Sequence, residues 1–166
     1  MSVQGIAPGV TLSLPLEQPF GGAADAVQLV QARYRNQHQI FQSVIESSDQ
    51  RFTVLMTVPS GPRIMRVDWS RGSVTEKREP IAPASLSAER MLADLMLVYA
   101  PAEVLRAAIG GGILVVEADG TRRISKDGHE LVVATRPAGD IWNGHARLSN
   151  IAYDYALDIQ SQRAAP

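Results

Sequence analysis

Residues 87–112, SAERMLADLMLVYAPAEVLRAAIGGG, are the only convincingly helical part of a chain that otherwise reads as strands and turns. Ser87 is a suitable N-cap, and Glu89 in the first turn faces the positive end of the helix. Met91, Leu95 and Val98 fall on one stripe, and Leu92, Met96 and Tyr99 on the next. The apolar face is therefore broader than a surface helix needs. Pro101 opens a second short helix whose apolar side is Val104, Leu105, Ala108 and Ile109, and Gly110, Gly111 and Gly112 are expected to end it. A pair of helices this apolar must be covered, and only strands are available to cover it.

Those strands come in two groups. Val10, Leu12, Leu14 and Leu16 alternate with polar residues at period two, with Pro15 marking an edge or an end. Residues 27–35, 39–46, 52–58, 63–69 and, more weakly, 74–79 follow as short strands. No connection is long enough for a crossover helix, so they form an antiparallel meander. After the helices, residues 113–118, 121–126 and 130–136 are strands joined by Asp119-Gly120 and Asp127-Gly128, both two-residue hairpin signals. Residues 137–144 read as a loop holding Trp142. Ile151, Tyr153, Tyr155, Leu157 and Ile159 give the cleanest alternation, and the final SQRAAP is expected to fray. The expected fold is mainly β, of the α+β kind. It is an open antiparallel β-barrel of about ten strands, with two helices inserted between two meanders as a lid. One domain spans residues 1–166, with the first meander at 10–79, the lid at 87–112 and the second meander at 113–160.

Composition narrows the function. The 166 residues carry a formal net charge of −1, from 16 basic and 17 acidic side chains without a basic stripe, which argues against nucleic acid. The absence of cysteine removes disulfides, thiolate zinc sites and a cysteine nucleophile. No window has the ~18 apolar residues of a transmembrane helix, and the opening MSVQGIAPGV lacks the charge and apolar core of a signal peptide.

No catalytic pattern stands out. His38, His129 and His145 sit in or beside expected turns, without metal-like spacing, and read as exposed. No G-x-S-x-G elbow is present. Asp94 and Glu103 read as solvated or capping carboxylates. The triple glycine ends a helix, whereas a phosphate cradle opens one. The Asp-Gly pairs lack the alternating acidic ligands of a calcium loop. No metal, cofactor or catalytic residue is expected.

The remaining signal is apolar excess. Plain core is its simplest account, but two short helices must cover some ten strands, and a sheet of that size curls and can leave a cavity. The methionines would suit variable apolar partners. The candidate apolar site comprises Phe41, Leu55, Met65, Trp69, Met91, Leu92, Leu95, Met96 and Tyr99.

The helical stretch ERMLADLMLVYAPAEVLRAAIGGG also resembles the signature of a proteobacterial lipoprotein family of unknown function, often encoded among aryl-polyene and fatty-acid-like biosynthesis genes. IAPGVTLSLPL and GHARLSNIAYDYALDIQ resemble the same family, so the resemblance spans most of the chain. More distantly, the element order is similar to that of the outer-membrane lipoprotein receptor and its periplasmic carrier in the lipoprotein-sorting pathway. That resemblance implies an open barrel carrying acyl chains under a helical lid, with Met91, Leu92, Leu95, Met96 and Tyr99 as lid residues. It also implies a periplasmic location, with outer-membrane anchoring through a signal peptide and lipidated cysteine on the precursor, neither of which lies in these residues. The leading expectation is a monomeric, non-enzymatic binder of lipid or acyl chains at the outer membrane or among envelope proteins. A filled structural or interaction module is the alternative, and an acyl hydrolase is the third reading.

Overall fold

In the computed structural model, which describes residues 2–164, strands outnumber helices as the sequence implies. The first strands are β1 (Val3–Ala7) and β2 (Val10–Ser13). A meander follows: β3 (Ala24–Tyr34), β4 (Gln37–Ser48), β5 (Arg51–Thr57), β6 (Arg63–Ser70) and β7 (Ser73–Arg78). Helices α1 (Ala88–Tyr99) and α2 (Ala102–Ala108) lead to a short β8 (Ile109–Gly110). The second meander is β9 (Ile113–Val116), β10 (Arg122–Lys126), β11 (His129–Thr135), β12 (Gly144–Asn150) and β13 (Tyr155–Arg163).

The two meanders join where β13 pairs antiparallel with β3, giving one ten-stranded sheet in the order β7-β6-β5-β4-β3-β13-β12-β11-β10-β9. It is not closed, because β7 and β9 remain its edges. Helix α1 nevertheless contacts β7 at one edge and β11 and β12 near the other. Six strand spacings separate β7 from β12 in that order, about 29 Å in a flat sheet. A helix of 12 residues is only about 18 Å long. The sheet must therefore curl around α1. On α1's other flank lies β1, part of a three-stranded sheet in the order β1-β2-β8. Its residues Ile6, Ala7, Val10 and Leu12 join the single buried cluster.

This placement explains the breadth of α1's apolar face. Nine of its twelve residues are buried. It is the central core element and not a surface lid. Its ends are tied to the sheet on both sides. At the N-terminus Ser87 Oγ accepts from Arg90 N at 3.2 Å and Glu76 Oε1, from β7, accepts from Ala88 N at 3.0 Å. At the C-terminus, where α1 has no basic residue of its own, Arg122 of β10 donates to Leu97 O at 3.2 Å, to Met96 O at 3.4 Å and to Ala100 O. Arg136 adds a bond to Tyr99 O at 3.1 Å. Two cations thus sit against the negative pole of the helix.

Four local expectations are corrected. Residues 3–7, given no element by the sequence reading, form β1, held by pairing with β2. Residues 144–150, left without an element by the sequence reading, form β12, which pairs with β11 and β13. The alternation from Ile151 does not mark a strand start: residues 151–154 are the turn between β12 and β13, with Asp154 at φ 54°. The chain end is ordered through Ser161, Gln162 and Arg163, which pair with β3, while Ala165 and Pro166 lie outside the described residues.

The glycines do not cap α2 either. The helix stops at Ala108, and Ile109 and Gly110 cross into the small sheet, pairing with Leu12 and Thr11. Gly111 has φ +82°, and a β-carbon there would collide with the carbonyl oxygen of Gly9. Gly111→Ala is expected to lose at least about 2 kcal/mol of stability, since left-handed backbone disfavours alanine and the close strand approach must open. Urea unfolding monitored by tryptophan fluorescence would measure it.

Candidate functional site

The concave side of the sheet holds two different environments. One half is filled by an aromatic plug. Phe20 packs on Phe52 at 4.5 Å between ring centroids and meets Trp69 and Trp142 edge-on at 6.0 and 5.9 Å. Trp142 also packs on Tyr99 at 4.9 Å. Phe20 and Trp142 both arrive from loops, and each loop is locked by a polar side chain. Gln18 accepts from Phe20 N at 2.8 Å and donates to Gly21 O and Ser48 O at 2.6 and 2.7 Å. Asp140 accepts from Trp142 N at 3.1 Å and is held by Arg163 at 2.7 and 2.8 Å. The Arg163 fork keeps the Asp140 carboxyl down at about 2, below its ordinary 3.8.

The other half is an open cavity of about 120 Å³. Its walls are alternate residues of β3, β4, β5 and β13, among them Val30, Ala32, Phe41, Val54, Met56, Leu157 and Ile159. Met91, Leu95, Arg90 and Asp94 of α1 form its floor, and Pro83, Ser85 and Leu86 of the connection between β7 and α1 form its roof. The covering element is thus the segment 79–87, much of it exposed, including Ile81 at 63%. It is held by two internal turns, Ala82 N to Glu79 O and Leu86 N to Pro83 O, each 3.0 Å, and by Arg78 donating to Leu86 O.

Of the nine residues proposed from sequence, Phe41, Met91 and Leu95 line this cavity. Leu92 and Met96 are fully buried in the core, because each following helical position turns about 100° away from the cavity face. Met65 is buried in β6, and Trp69 belongs to the aromatic plug. Tyr99 lies a turn beyond Leu95, and its hydroxyl meets Gln28 and Ser161 in a buried triad at 3.3 and 3.4 Å. Leu55 is corrected outright. Its neighbours Val54 and Met56 face the cavity, so period two turns Leu55 to the outer face, half-buried between Val44 and Arg66. That face carries a polar network in which Thr53 donates to Asp68 at 2.8 Å and Arg66 to Asp68 at 2.8 Å.

The sequence reading missed the polar residues of the site. Asp94 is not a solvated carboxylate. Its remaining accessibility is to the cavity, and protein surrounds it elsewhere. Burial raises its carboxyl from 3.8 to about 7, although it accepts a 2.6 Å hydrogen bond from the Tyr155 hydroxyl and feels the Arg90 cation. The same pairing and burial hold the Tyr155 hydroxyl well above its ordinary 10. The Tyr155 ring stacks on Tyr34 at 5.4 Å. Arg90, one turn before Asp94, sits over the Tyr155 and Tyr153 rings, 5.0 and 5.2 Å from their centroids. A signal was present: a carboxylate in the middle of a helix that is apolar nearly all round has no wet face to occupy.

His38, His129 and His145 are all exposed, on β4, β11 and β12. His145 bonds Asp158 at 2.9 Å on the outer surface. Glu103 is exposed in the first turn of α2. Among the described residues no three His, Asp or Glu side chains group to hold a metal ion, and no helix is long and apolar enough to cross a membrane.

Among curated proteins none matches the sequence. A protein family does match, over residues 25–163, from the second residue of β3 to the last of β13. The matched span therefore covers the whole ten-stranded sheet save Ala24, both helices and every residue of the cavity wall, and the chain belongs to the family described as protein of unknown function (DUF3261).

Proposed function

We propose that the protein is a non-catalytic binding protein for the apolar chain of a lipid or fatty acid. The observation that carries this reading is the cavity between α1 and the concave sheet, apolar along its walls and roofed by a segment with few anchors to the strands. Its charged side chains, Arg90 and Asp94, sit together with Tyr34, and Gln28 of the buried Gln28–Tyr99–Ser161 triad also lines it. Buried methylenes contribute roughly 0.8 kcal/mol each. Micromolar affinity, about 8 kcal/mol, therefore needs some ten of them before the cost of association. A void of about 120 Å³ is below the usual few-hundred range of ligand sites. A bound chain must then push the roof segment 79–87 outward.

The resemblance to the lipoprotein family extends this reading to lipoprotein or aryl-polyene lipid handling on the periplasmic side of the outer membrane, and the likeness to the lipoprotein-sorting receptor supports it. The aromatic plug favours a second reading. It fills half of the concave surface, as a structural or interaction module of the envelope would.

Native mass spectrometry of protein purified from cells and titration with a fluorescent fatty acid test the first reading. Ala32→Trp places an indole in the cavity. It should reduce fatty-acid affinity at least about tenfold while stability stays within about 1 kcal/mol, since the new ring fills existing space. Protein free of lipid that binds no fatty acid would sink the idea.

A further inference from the structure

The apolar cavity does not end at Arg90. A second depression of about 540 Å³ adjoins it, lined by Gln4, Gly5, Arg35, Ala152, Tyr153 and Asp154, and it shares Arg90 and Tyr34 with the cavity. The two spaces differ in chemistry, one mostly apolar and the other about equally polar and apolar, with two arginines in its lining.

Resting on the lipid-binding reading above, we propose that this depression is a head-group subsite. The ligand class is an amphiphile with an anionic head, a carboxylate or a phosphate, whose charge is held by Arg90 while its chain runs into the cavity.

Three observations carry this. First, Arg90 is oriented but has no carboxylate in direct contact among the described residues. Its guanidinium lies across two tyrosine rings at 5.0 and 5.2 Å, close to the Tyr34 hydroxyl. Its side chain makes a long hydrogen bond, 3.4 Å to Gly5 O, and no ion pair within 4.0 Å among the described residues. A guanidinium has five donors in a planar fork suited to two oxygens of one anion. Second, the nearest acids are committed elsewhere. Asp94 takes the Tyr155 hydroxyl at 2.6 Å, and Asp154 is paired with Arg33 at 3.2 Å. Third, Arg35 adds another cation to the same depression, in a left-handed turn at φ 56°. An arginine stacked on aromatics, facing a polar space on one side and an apolar one on the other, is matched by a molecule with the same division.

The test uses three probes with one twelve-carbon chain, dodecanoate, dodecyl phosphate and dodecanol, below their micellar concentrations, read by displacement of a fluorescent fatty acid and by calorimetry. For the native chain both anions should bind about tenfold tighter than the alcohol, as expected of a charge-assisted fork. The stronger anion identifies the head. Arg90→Gln should erase that preference and leave dodecanol within about twofold. Arg35→Gln, at an exposed position that does not threaten folding, should reduce the preference about threefold. Equal binding of alcohol and anions by the native protein would overturn the head-group proposal and leave chain binding standing. So would an Arg35→Gln variant with undiminished preference together with an Arg90→Gln variant that weakens all three probes alike. Failure of every probe to bind would remove the chain-binding reading, and this proposal with it.

Discussion

Arg122→Met is expected to lower the unfolding midpoint by about 8 °C, the equivalent of roughly 3 kcal/mol in a chain of this size. Arg122 is 3% exposed, and its guanidinium serves three carbonyls at the C-terminal end of α1. Methionine preserves the apolar stem but offers no donor. Arg136 also reaches Ala100 O at 3.5 Å and Ala100 N donates to Met96 O at 3.1 Å, so Leu97 O is the carbonyl left without a partner, and a buried orphan costs about 1–3 kcal/mol. The negative pole of the helix loses a cation as well. Burial and the neighbouring Arg136 lower the Arg122 guanidinium to about 10, so it remains charged at neutral pH and the interaction is present there. Differential scanning calorimetry, with Arg122→Lys as a companion, measures the effect. Lysine returns one donor site and should recover part of the loss. A methionine variant as stable as the native chain would show that the helix end does not need this residue.

The second large effect concerns Asp94 and its dependence on pH. Its carboxyl stands at about 7 in the fold and at 3.8 ordinarily. The folded state therefore binds a proton that the unfolded state has released across the window between those values. Stability from this group is fully present below the lower value and is lost as pH rises through about 7. The ceiling on the loss is about 4 kcal/mol. Arg90 and Tyr155 are the charged or titratable groups acting on it, both raised above values that already lie beyond that window. At the acid end Asp68 and Asp140, both lowered by arginine partners, act in the opposite sense and lose their contribution as pH falls below 3.8. The native chain should thus be most stable near pH 4.

Asp94→Asn keeps an acceptor for the Tyr155 hydroxyl and cannot ionise. It should flatten the slope between pH 4 and 7 and be more stable than the native chain at pH 8, by up to about 4 kcal/mol. Chemical denaturation at a series of pH values reads this directly. Parallel slopes for the two proteins would mean that Asp94 titrates like an exposed carboxylate.

Much of the secondary structure could be read from the chain. Phe52, Val54 and Met56 alternate because one face of β5 is dry, and the Asp-Gly pairs turn where strands must reverse. The break at Pro101 separates the two helices as its ring requires. Strands β1 and β12 escaped notice for different reasons. The first is short, with a glycine at its centre, and the second, GHARLSN, carries polar residues on its outward positions and one inward asparagine. That asparagine, Asn150, is buried because it donates to Ile6 O at 2.8 Å, a partner 144 positions away.

The candidate site was legible only in part. Apolar composition identified Phe41, Met91 and Leu95 as inward-facing, but it could not distinguish a residue that lines a void from one that fills it. Phe20 and Trp142 decide that difference, because their loops fold over the sheet and close half of the space. Their positions depend on Gln18 and Asp140, whose partners include Ser48 and Arg163 far along the chain.

What the amino-acid order determined by itself was periodic and local: strands of period two, two helices between two meanders, and the break at Pro101. These follow from backbone sterics and from which face must be dry, which neighbouring residues already encode. Only the tertiary structure decided where α1 lies, which residues cap it and what its one enclosed carboxylate meets. The curl of the ten-stranded sheet brings β7 and β12 to the same helix. That closure places Arg122, Arg136 and Tyr155 against residues 22 to 61 positions earlier, through hydrogen bonds that no local pattern records.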